Sequence, residues 1–370
     1  MIYLDYSATT PVDDEVLDSF IKSNKYFANP NSLHKLGLEA KHLIDASTSQ
    51  IAKILRVKPE EIIYTSGASE SNNTVIKAME ECKNRGKTII TTKLEHSSIS
   101  EPLNYLKTKG FNIKYIPLIN GVVDINSLKE MLDDVCLVTV SMVNSETGIR
   151  QPIEEIGKIL KKYPKILFHT DITQAVGKIK FDLDNVDFAS FSAHKFFGIK
   201  GIGCLYKKEN INMTPLIHGG KSTTIYRSGT PSTPLIASMA KALRLSYENM
   251  DEDLIKVKEL SNHLKNELSK YEKVAINSND YSIDQIVNFS VLGVKPETFM
   301  HSLEEDDVYI STQSACSTGN YSKAVLAITN DMKKASSSLR VSISRKTTKE
   351  EIDLFLKAFD KNYKKLVNWF

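Results

Sequence analysis

The chain has 370 residues, 41% hydrophobic and 25% charged. That apolar share is enough to build packed cores and excludes a mostly disordered chain, and the length predicts two to three domains. Lys and Arg number 48 against 45 Asp and Glu, a net charge of +3, which excludes a protein that holds nucleic acid on a broad basic face.

The first six residues, Met1-Ile2-Tyr3-Leu4-Asp5-Tyr6, read as a strand. No basic flank followed by an apolar core opens the chain, so no signal peptide is expected. No apolar run reaches the about 18 residues of a membrane span, and a cytoplasmic protein is expected. β-Branched and aromatic runs at 61–65, 88–92, 112–116, 137–143, 166–170, 188–192 and 203–206 read as strands. Helix-length segments at 69–85, 99–108, 126–132 and 153–162 lie between them. This alternation predicts βαβ units: an α/β fold whose mainly parallel sheet has helices on both faces. In such sheets ligands bind beyond the carboxyl ends of the strands.

Residues 234–271 read as one long helical stretch, with Leu235, Met239, Leu243, Leu254, Leu260, Leu264 and Leu268 at helical spacing. After it come fewer strands, at 286–292, 308–313 and 339–343, with helices between and behind them. That pattern predicts a smaller α+β C-terminal domain. The lysines of the tail (Lys357, Lys361, Lys364, Lys365) read as a solvated helix face.

Four segments after strands are candidates to carry chemistry. Thr65-Ser66-Gly67-Ala68-Ser69-Glu70 turns from a strand into a helix; the first N–H groups of that helix would cradle an anion such as phosphate, or Ser69 is simply its N-cap. It is not a P-loop, because the Gly-Lys-Ser/Thr end is missing. Asp171, after Phe168-His169-Thr170, puts a carboxylate at a strand end; it also fits a cap for the next segment. Lys195 sits in Ser190-Phe191-Ser192-Ala193-His194-Lys195-Phe196-Phe197-Gly198 among apolar neighbours, a setting that lowers a lysine's pKa and suits a Schiff-base lysine; it also fits a surface lysine after a strand, or a phosphate cradle shared with the serine and histidine. Cys316 sits in the small, polar run from Ser311 to Asn320, whereas Cys136 and Cys204 fall in apolar strands and read as core. The four cysteines, Cys82 among them, are widely spaced with no C-x-x-C pair. This is neither a zinc framework nor a disulfide scaffold, and it fits a reducing compartment. A phosphate cradle, a strand-end Asp, an apolar-site Lys and a loop Cys together are what pyridoxal phosphate chemistry on sulfur needs.

The ordered motifs go further. They are Tyr3-Leu4-Asp5-Tyr6-Ser7-Ala8-Thr9-Thr10-Pro11, Asn29-Pro30-Asn31-Ser32-Leu33-His34, residues 65–72, Glu95-His96, residues 144–148, residues 171–174, residues 192–195, Arg227-Ser228-Gly229-Thr230, Ser314-Ala315-Cys316 and Ser338-Leu339-Arg340. Over essentially its whole length the chain resembles the cysteine desulfurases of the NifS/IscS group, on the class V aminotransferase fold. The resemblance implies a type I pyridoxal-phosphate transferase fold. It implies a large cofactor-binding domain over 12–255 and a small domain over 256–370, joined by residues 1–11.

By position, the resemblance makes Lys195 the lysine that binds the cofactor aldehyde, Asp171 the partner of the pyridine nitrogen and Gln174 that of the phenolate oxygen. His96 would stack on the ring. Ala68, Ser69, Ser192 and His194 would form the phosphate cup, with Ser145 near substrate and ring. Thr230 would reach the phosphate of a neighbouring subunit, implying a homodimer. Arg340 would clamp the substrate carboxylate, with Asn29 nearby, and Cys316 would take the sulfur of L-cysteine as a persulfide. L-Alanine would leave, and an acceptor protein, a scaffold or thiolation partner, would receive the sulfur for iron–sulfur cluster assembly, tRNA thiolation or cofactor synthesis. The sequence departs from the group at Ser145 (usually Asn), Ile172 (Ala), Gln313 (Gly) and Ser232 (Asn), and its tail ends at Trp369-Phe370. Two other readings stand beside desulfurase: another class V enzyme, an aminotransferase or selenocysteine lyase, and a catalytically weak scaffold of a sulfur-transfer complex.

Overall fold

The computed structural model describes residues 1–82, 84–312 and 321–367. The chain starts with a short strand, β1 (Ile2–Tyr3), and two helices, α1 (Asp14–Ser23) and α2 (Lys35–Leu55). Strands and helices then alternate: β2 (Ile62–Thr65), α3 (Ala68–Ala78), β3 (Thr88–Thr91), α4 (Ser97–Thr108), β4 (Asn112–Tyr115), a small hairpin of β5 (Leu118–Ile119) and β6 (Val122–Val123), α5 (Ile125–Glu130), β7 (Val135–Thr139), α6 (Ile153–Leu160), β8 (Leu167–Asp171), β9 (Phe188–Ser192) and β10 (Gly203–Lys207). Seven of these strands form one sheet in the order β2-β10-β9-β8-β7-β3-β4. Only β10 runs against its neighbours, so the sheet is mainly parallel, as the alternation predicts. Apart from the exposed edge strand β4, its strands are buried on both faces, which is why most of them read as unbroken apolar runs rather than alternating ones.

The apolar run at 137–143 outlasts its strand. The ladder ends at Thr139, while Val140 and Met142 still donate to His169 O and Asp171 O and stay buried. The helical segment expected over 69–85 also stops early, at Ala78, and continues as a single 3-10 turn, Met79–Glu81.

The long stretch after Pro234 is two helices, α7 (Thr233–Glu248) and α8 (Met250–Leu268), broken at Asn249. Its apolar residues serve two different cores. Ile236, Met239 and Leu243 pack under the large sheet, whereas Val257, Leu260, Leu264 and Leu268 belong to a second cluster. One straight helix cannot face both. Asparagine, whose side chain competes for backbone hydrogen bonds, is a natural place to break it.

The second core surrounds a three-stranded antiparallel sheet, β11 (Val274–Ile276), β12 (Ile286–Val291) and, later in the chain, Ser338–Ser342. The intervening elements are α9 (Pro296–Glu304), β13 (Val308–Tyr309), α10 (Lys323–Thr329) and α11 (Met332–Ala335); β14 (Ser338–Ser342) and α12 (Lys349–Val367) follow. The N-terminal strand pairs here, β1 alongside β13, and Leu4 is buried in this core. Among the described residues no helix is long and apolar enough to cross a membrane. Cys136 and Cys204 are fully buried, and burial pushes the Cys136 thiol up to about 12.

Candidate active site

Strands β2, β3, β7, β8 and β9 end on the same side of the sheet. Each hands a short segment to one cavity of about 250 Å³.

After β2 the chain turns at Gly67, and Gly67, not Ser69, is the N-cap of α3. Space decides this. A Cβ on Gly203 of β10 would sit 2.5 Å from the Gly67 Cα, and a Cβ on Gly67 would sit 3.2 Å from Ser192 Oγ. The two glycines let the start of α3 lie against the end of β9, where the Ala68 N–H donates to Ser192 Oγ at 2.7 Å. Ala68, Ser69, Ser192 and His194 all line the cavity there, at a helix N-terminus whose dipole favours an anion. His194 Nδ1 pairs with Thr9 Oγ1 at 3.1 Å. Burial, with the Lys195, Lys200 and Lys178 cations, pulls the His194 ring down to about 4, so it is neutral at pH 7.

Asp171 ends β8 and is 6% exposed. Both its oxygens are anchored, Oδ2 by Asn72 Nδ2 at 2.8 Å and Oδ1 by the Thr173 N–H at 2.9 Å. The second bond is a local turn, so Asp171 shapes its own segment as well as facing the cavity. Gln174, on the same turn, donates from Nε2 to Ser7 O at 2.9 Å. Ile172, between them, is fully buried in the core.

A single 3-10 turn after β9 carries Lys195 to the cavity. Its amine donates to Ser7 O at 2.6 Å and Ala8 O at 2.8 Å. The apolar setting expected from its neighbours is not what meets the amine. Phe196 packs on Phe191 and Phe197 on Tyr6, and backbone carbonyls of the N-terminal segment take their place.

His96 follows β3 and caps α4: its Nδ1 accepts from the Ser98 N–H at 3.1 Å and pairs with Ser98 Oγ at 2.9 Å. Asn72 Nδ2 also donates to Ser98 Oγ, at 2.9 Å. An amide nitrogen only donates, so the Ser98 proton goes to His96 Nδ1, and the neutral ring carries its own proton on Nε2. Burial lowers the His96 pKa, opposed by Asp171 and helped by Lys195. A chain of hydrogen bonds thus runs from Asp171 through Asn72 and Ser98 to His96. Sequence reading singled out neither Asn72 nor Ser98. The available signal was Asn72 itself, an amide one helical turn beyond Ala68 that closes the 65–72 motif; the structure buries it completely.

The loop after β7 completes the wall. Asn144 shapes it, accepting from Glu146 N and Thr147 N and donating to Leu94 O. Ser145 lines the cavity, and its carbonyl accepts from Arg340 NH1 at 2.8 Å. Arg340 lies in the middle of β14, 1% exposed, with NH2 on Asp5 Oδ1 at 2.5 Å. Its Nε is buried with no protein partner.

Beneath His96, Glu95 accepts from Thr92 Oγ1 and from Ser141 N and Oγ. Burial pushes this carboxyl up to about 7, against those donors and with help from Asp171. Burial also pulls His169, held between Thr139 and Ser190, down to about 4, with Asp171 opposing. Between pH 4.5 and 6.5 the unfolded chain ionises Glu95 and protonates His169, while the fold does the reverse. The proton counts match, so the two slopes of stability against pH cancel. Glu95→Gln removes one of them. The variant should gain stability relative to the native protein by about 3 kcal/mol as pH rises across that window. Urea unfolding at the two pH values checks this, and parallel behaviour of the two proteins would refute it.

Two expected site residues lie elsewhere. Thr230 is exposed in the loop before α7, in a separate groove with Arg227 and Thr223. Asn29 is also exposed, its Oδ1 accepting from Asn31 N. Ser232 is the N-cap position of α7. Cys316 and Gln313 lie outside the described residues.

The chain matches the family model "Aminotransferase class-V" over residues 2–355. It is 40% identical to a protein named cysteine desulfurase IscS from Glaesserella parasuis, over 99% of this chain and 93% of that one. It is 38% identical to another of that name from Dictyoglomus turgidum, over 99% and 95%. Among solved structures it is similar to a NifS-like protein (TM-score 0.93, 35% identity, 99% and 100% of the two chains). It is also similar to SspA in complex with cysteine (TM-score 0.81, 31% identity, 94% and 100%). With these five strand ends meeting at one cavity and this likeness along its length, the chain belongs to the class-V aminotransferases and, within them, to the pyridoxal-phosphate-dependent NifS/IscS cysteine desulfurases.

Proposed function

We propose that the protein is a cysteine desulfurase: it takes sulfur from L-cysteine, releases L-alanine and carries the sulfur as a persulfide on Cys316 to an acceptor protein, for iron–sulfur cluster assembly or thiolation. The observation that carries the reading is the meeting of Lys195, Asp171, His96 and Arg340 at one cavity. The relatives' shared name favours it over an aminotransferase or an inactive scaffold.

The residues fit pyridoxal phosphate. Small and polar residues, Ala68, Ser69, Ser192 and His194, line the cavity where α3 begins, and a carboxylate anchored at both oxygens lies in the same cavity. Ala68, Ser69, Ser192 and His194 would hold the phosphate, Asp171 the ring nitrogen, Gln174 the phenolate oxygen and Lys195 the aldehyde carbon, with His96 on the ring face. When bound, the cofactor supplies an electron sink for the substrate's α-carbon.

The chain's own groups do the rest. Ser7 O and Ala8 O orient the Lys195 amine, which moves protons at Nζ. His96 offers the proton on Nε2. Arg340 binds the substrate carboxylate through N–H groups not given to Asp5 or Ser145, its unpartnered Nε among them. The Cys316 sulfur attacks the substrate sulfur; an S–S bond forms, the C–S bond breaks, and its electron pair stays with carbon. Protons returned to carbon complete alanine. We also propose a homodimer in which exposed Thr230 serves the partner's phosphate cup, and domains over 12–255 and 256–370. The packing of Leu4 in the second core supports joining residues 1–11 to the small domain.

Purified protein given pyridoxal phosphate, L-cysteine and a thiol should release alanine and sulfide in equal amounts. Release of neither overturns the reading. Arg340→Lys keeps the charge and loses the planar fork. Losing a charged hydrogen bond of about 1.5–3 kcal/mol should weaken cysteine and alanine binding about tenfold to a hundredfold. Unchanged affinity in a spectral titration would place the carboxylate elsewhere.

A further inference from the structure

Lys178 is a lysine that the chemistry above leaves unused; it stands behind Gln174, which lines the cavity, rather than in the cavity wall. It follows Gly177, where φ is +70° and a Cβ would meet Ser246 Cβ at 2.9 Å; both features require glycine there. The turn places Lys178 four residues beyond Gln174, and its amine donates to Gln174 Oε1. Its backbone carbonyl accepts from Gln285 Nε2 at 2.7 Å, which ties down the main chain at this point. Burial and the Lys195 and Arg340 cations push the Lys178 ammonium well below the ordinary lysine value. Charged or neutral, a lysine nitrogen carries hydrogens to donate.

A carboxamide has two unlike ends: the oxygen accepts and the nitrogen donates. Lys178 holds the oxygen of Gln174. The nitrogen is turned to Ser7 O at 2.9 Å, which uses one of its two hydrogens. Gln174 lines the cavity, so the second hydrogen serves it. Swapping the two ends would set an amide oxygen against a carbonyl oxygen and an amide N–H against an amine donor. Both ends therefore enforce the same orientation. Ser7 O also receives the Lys195 amine at 2.6 Å, so the orientation of Gln174 and the position of Lys195 share one anchor.

We propose that Lys178 is a positioning residue: it sets the direction of the Gln174 amide so that the cavity receives a hydrogen-bond donor, matched to an anionic ring oxygen of the cofactor. The proposal rests on the reading of Gln174 as the partner of that oxygen.

The test is a double-mutant cycle read by light absorption and by cofactor affinity rather than by turnover. The visible band of the bound cofactor is titrated with pH in the native protein, Gln174→Ala, Lys178→Met and the double variant. Cofactor dissociation constants are measured by fluorescence. A donor withdraws charge from the ring oxygen, and without it the oxygen holds a proton to higher pH. Lys178→Met should therefore move the midpoint upward by about threefold to tenfold in the proton equilibrium, the worth of one hydrogen bond, and weaken cofactor binding by a similar factor. The double variant should equal Gln174→Ala alone. Lys178→Arg keeps a donor, and a void of about 30 Å³ beside Lys178 leaves room for the larger head; it should behave as native. If Lys178→Met does not fold, Lys178→Leu is read in the same way. Additive effects in the double variant, an unmoved midpoint in the donor-free variant, or a Lys178→Arg protein that matches Lys178→Met would each overturn the proposal. An unmoved midpoint in Gln174→Ala would instead overturn the reading of Gln174 beneath it.

Discussion

Lys195→Ala is expected to abolish covalent attachment of pyridoxal phosphate: borohydride treatment should leave no reduced cofactor on the chain, and desulfurase turnover should vanish. Lys195 is the one lysine at the cavity among the described residues. The turn that carries it, Ala193–Lys195, leaves directly from the end of β9, so the amine is placed by the sheet rather than by a long loop. Ser7 O and Ala8 O then fix its direction. The neighbouring Lys178 is committed to Gln174 and does not replace it. Loss of the amine removes the covalent anchor and a proton carrier together. Proton transfer by a placed group is worth about 10² to 10⁴ in rate, and losing the anchor adds to that. Peptide mapping by mass spectrometry after reduction is the measurement. A reduced adduct on any other lysine would sink the assignment.

Cys316→Ala is expected to separate cofactor chemistry from sulfur transfer. The variant should bind pyridoxal phosphate and respond spectrally to cysteine as the native protein does, because none of the described residues that line the cavity is changed. It should form no persulfide and release little alanine. The reason is chemical: sulfur leaves the substrate only when a thiolate accepts it, and alanine has no such nucleophile. Cys136 and Cys204 cannot substitute. Both are fully buried, and burial raises both thiols far above the range where thiolate exists at neutral pH. Persulfide labelling with a thiol-reactive probe, alongside an alanine assay, decides the matter. Native alanine release from this variant would mean that another group takes the sulfur.

Much of the site was legible because it is local. A parallel sheet buried on both faces writes its strands as apolar runs, and the residue after each run stands at the ligand side. Asp171, Lys195 and the Gly67–Ser69 turn could be placed in this way with no knowledge of what they touch. The buried cysteines were legible for the same reason. Local signals also misled where two parts of the fold compete. Ser69 is a good N-cap residue by type, yet the helix begins two residues earlier, with Gly67 at the cap, where the turn packs so closely on β10 that Gly203 there has no room for a side chain. The apolar stripe after Pro234 is helical throughout, yet it breaks at Asn249 because its two halves face different cores.

By itself, the sequence determined the α/β order, the strand ends and the residue types that wait there, since each depends on neighbours a few positions away. The tertiary structure decided how those groups are held. Asp171 is fixed by Asn72, 99 residues before it, and Lys195 by Ser7, 188 residues before it. Arg340 is fixed by Asp5 across 335 residues and by Ser145 across 195. A buried donor or carboxylate must find a partner or pay its desolvation, but any polar group within reach can satisfy it. Which one does is settled only when the sheet, the N-terminal segment and the small domain's sheet close around the same cavity.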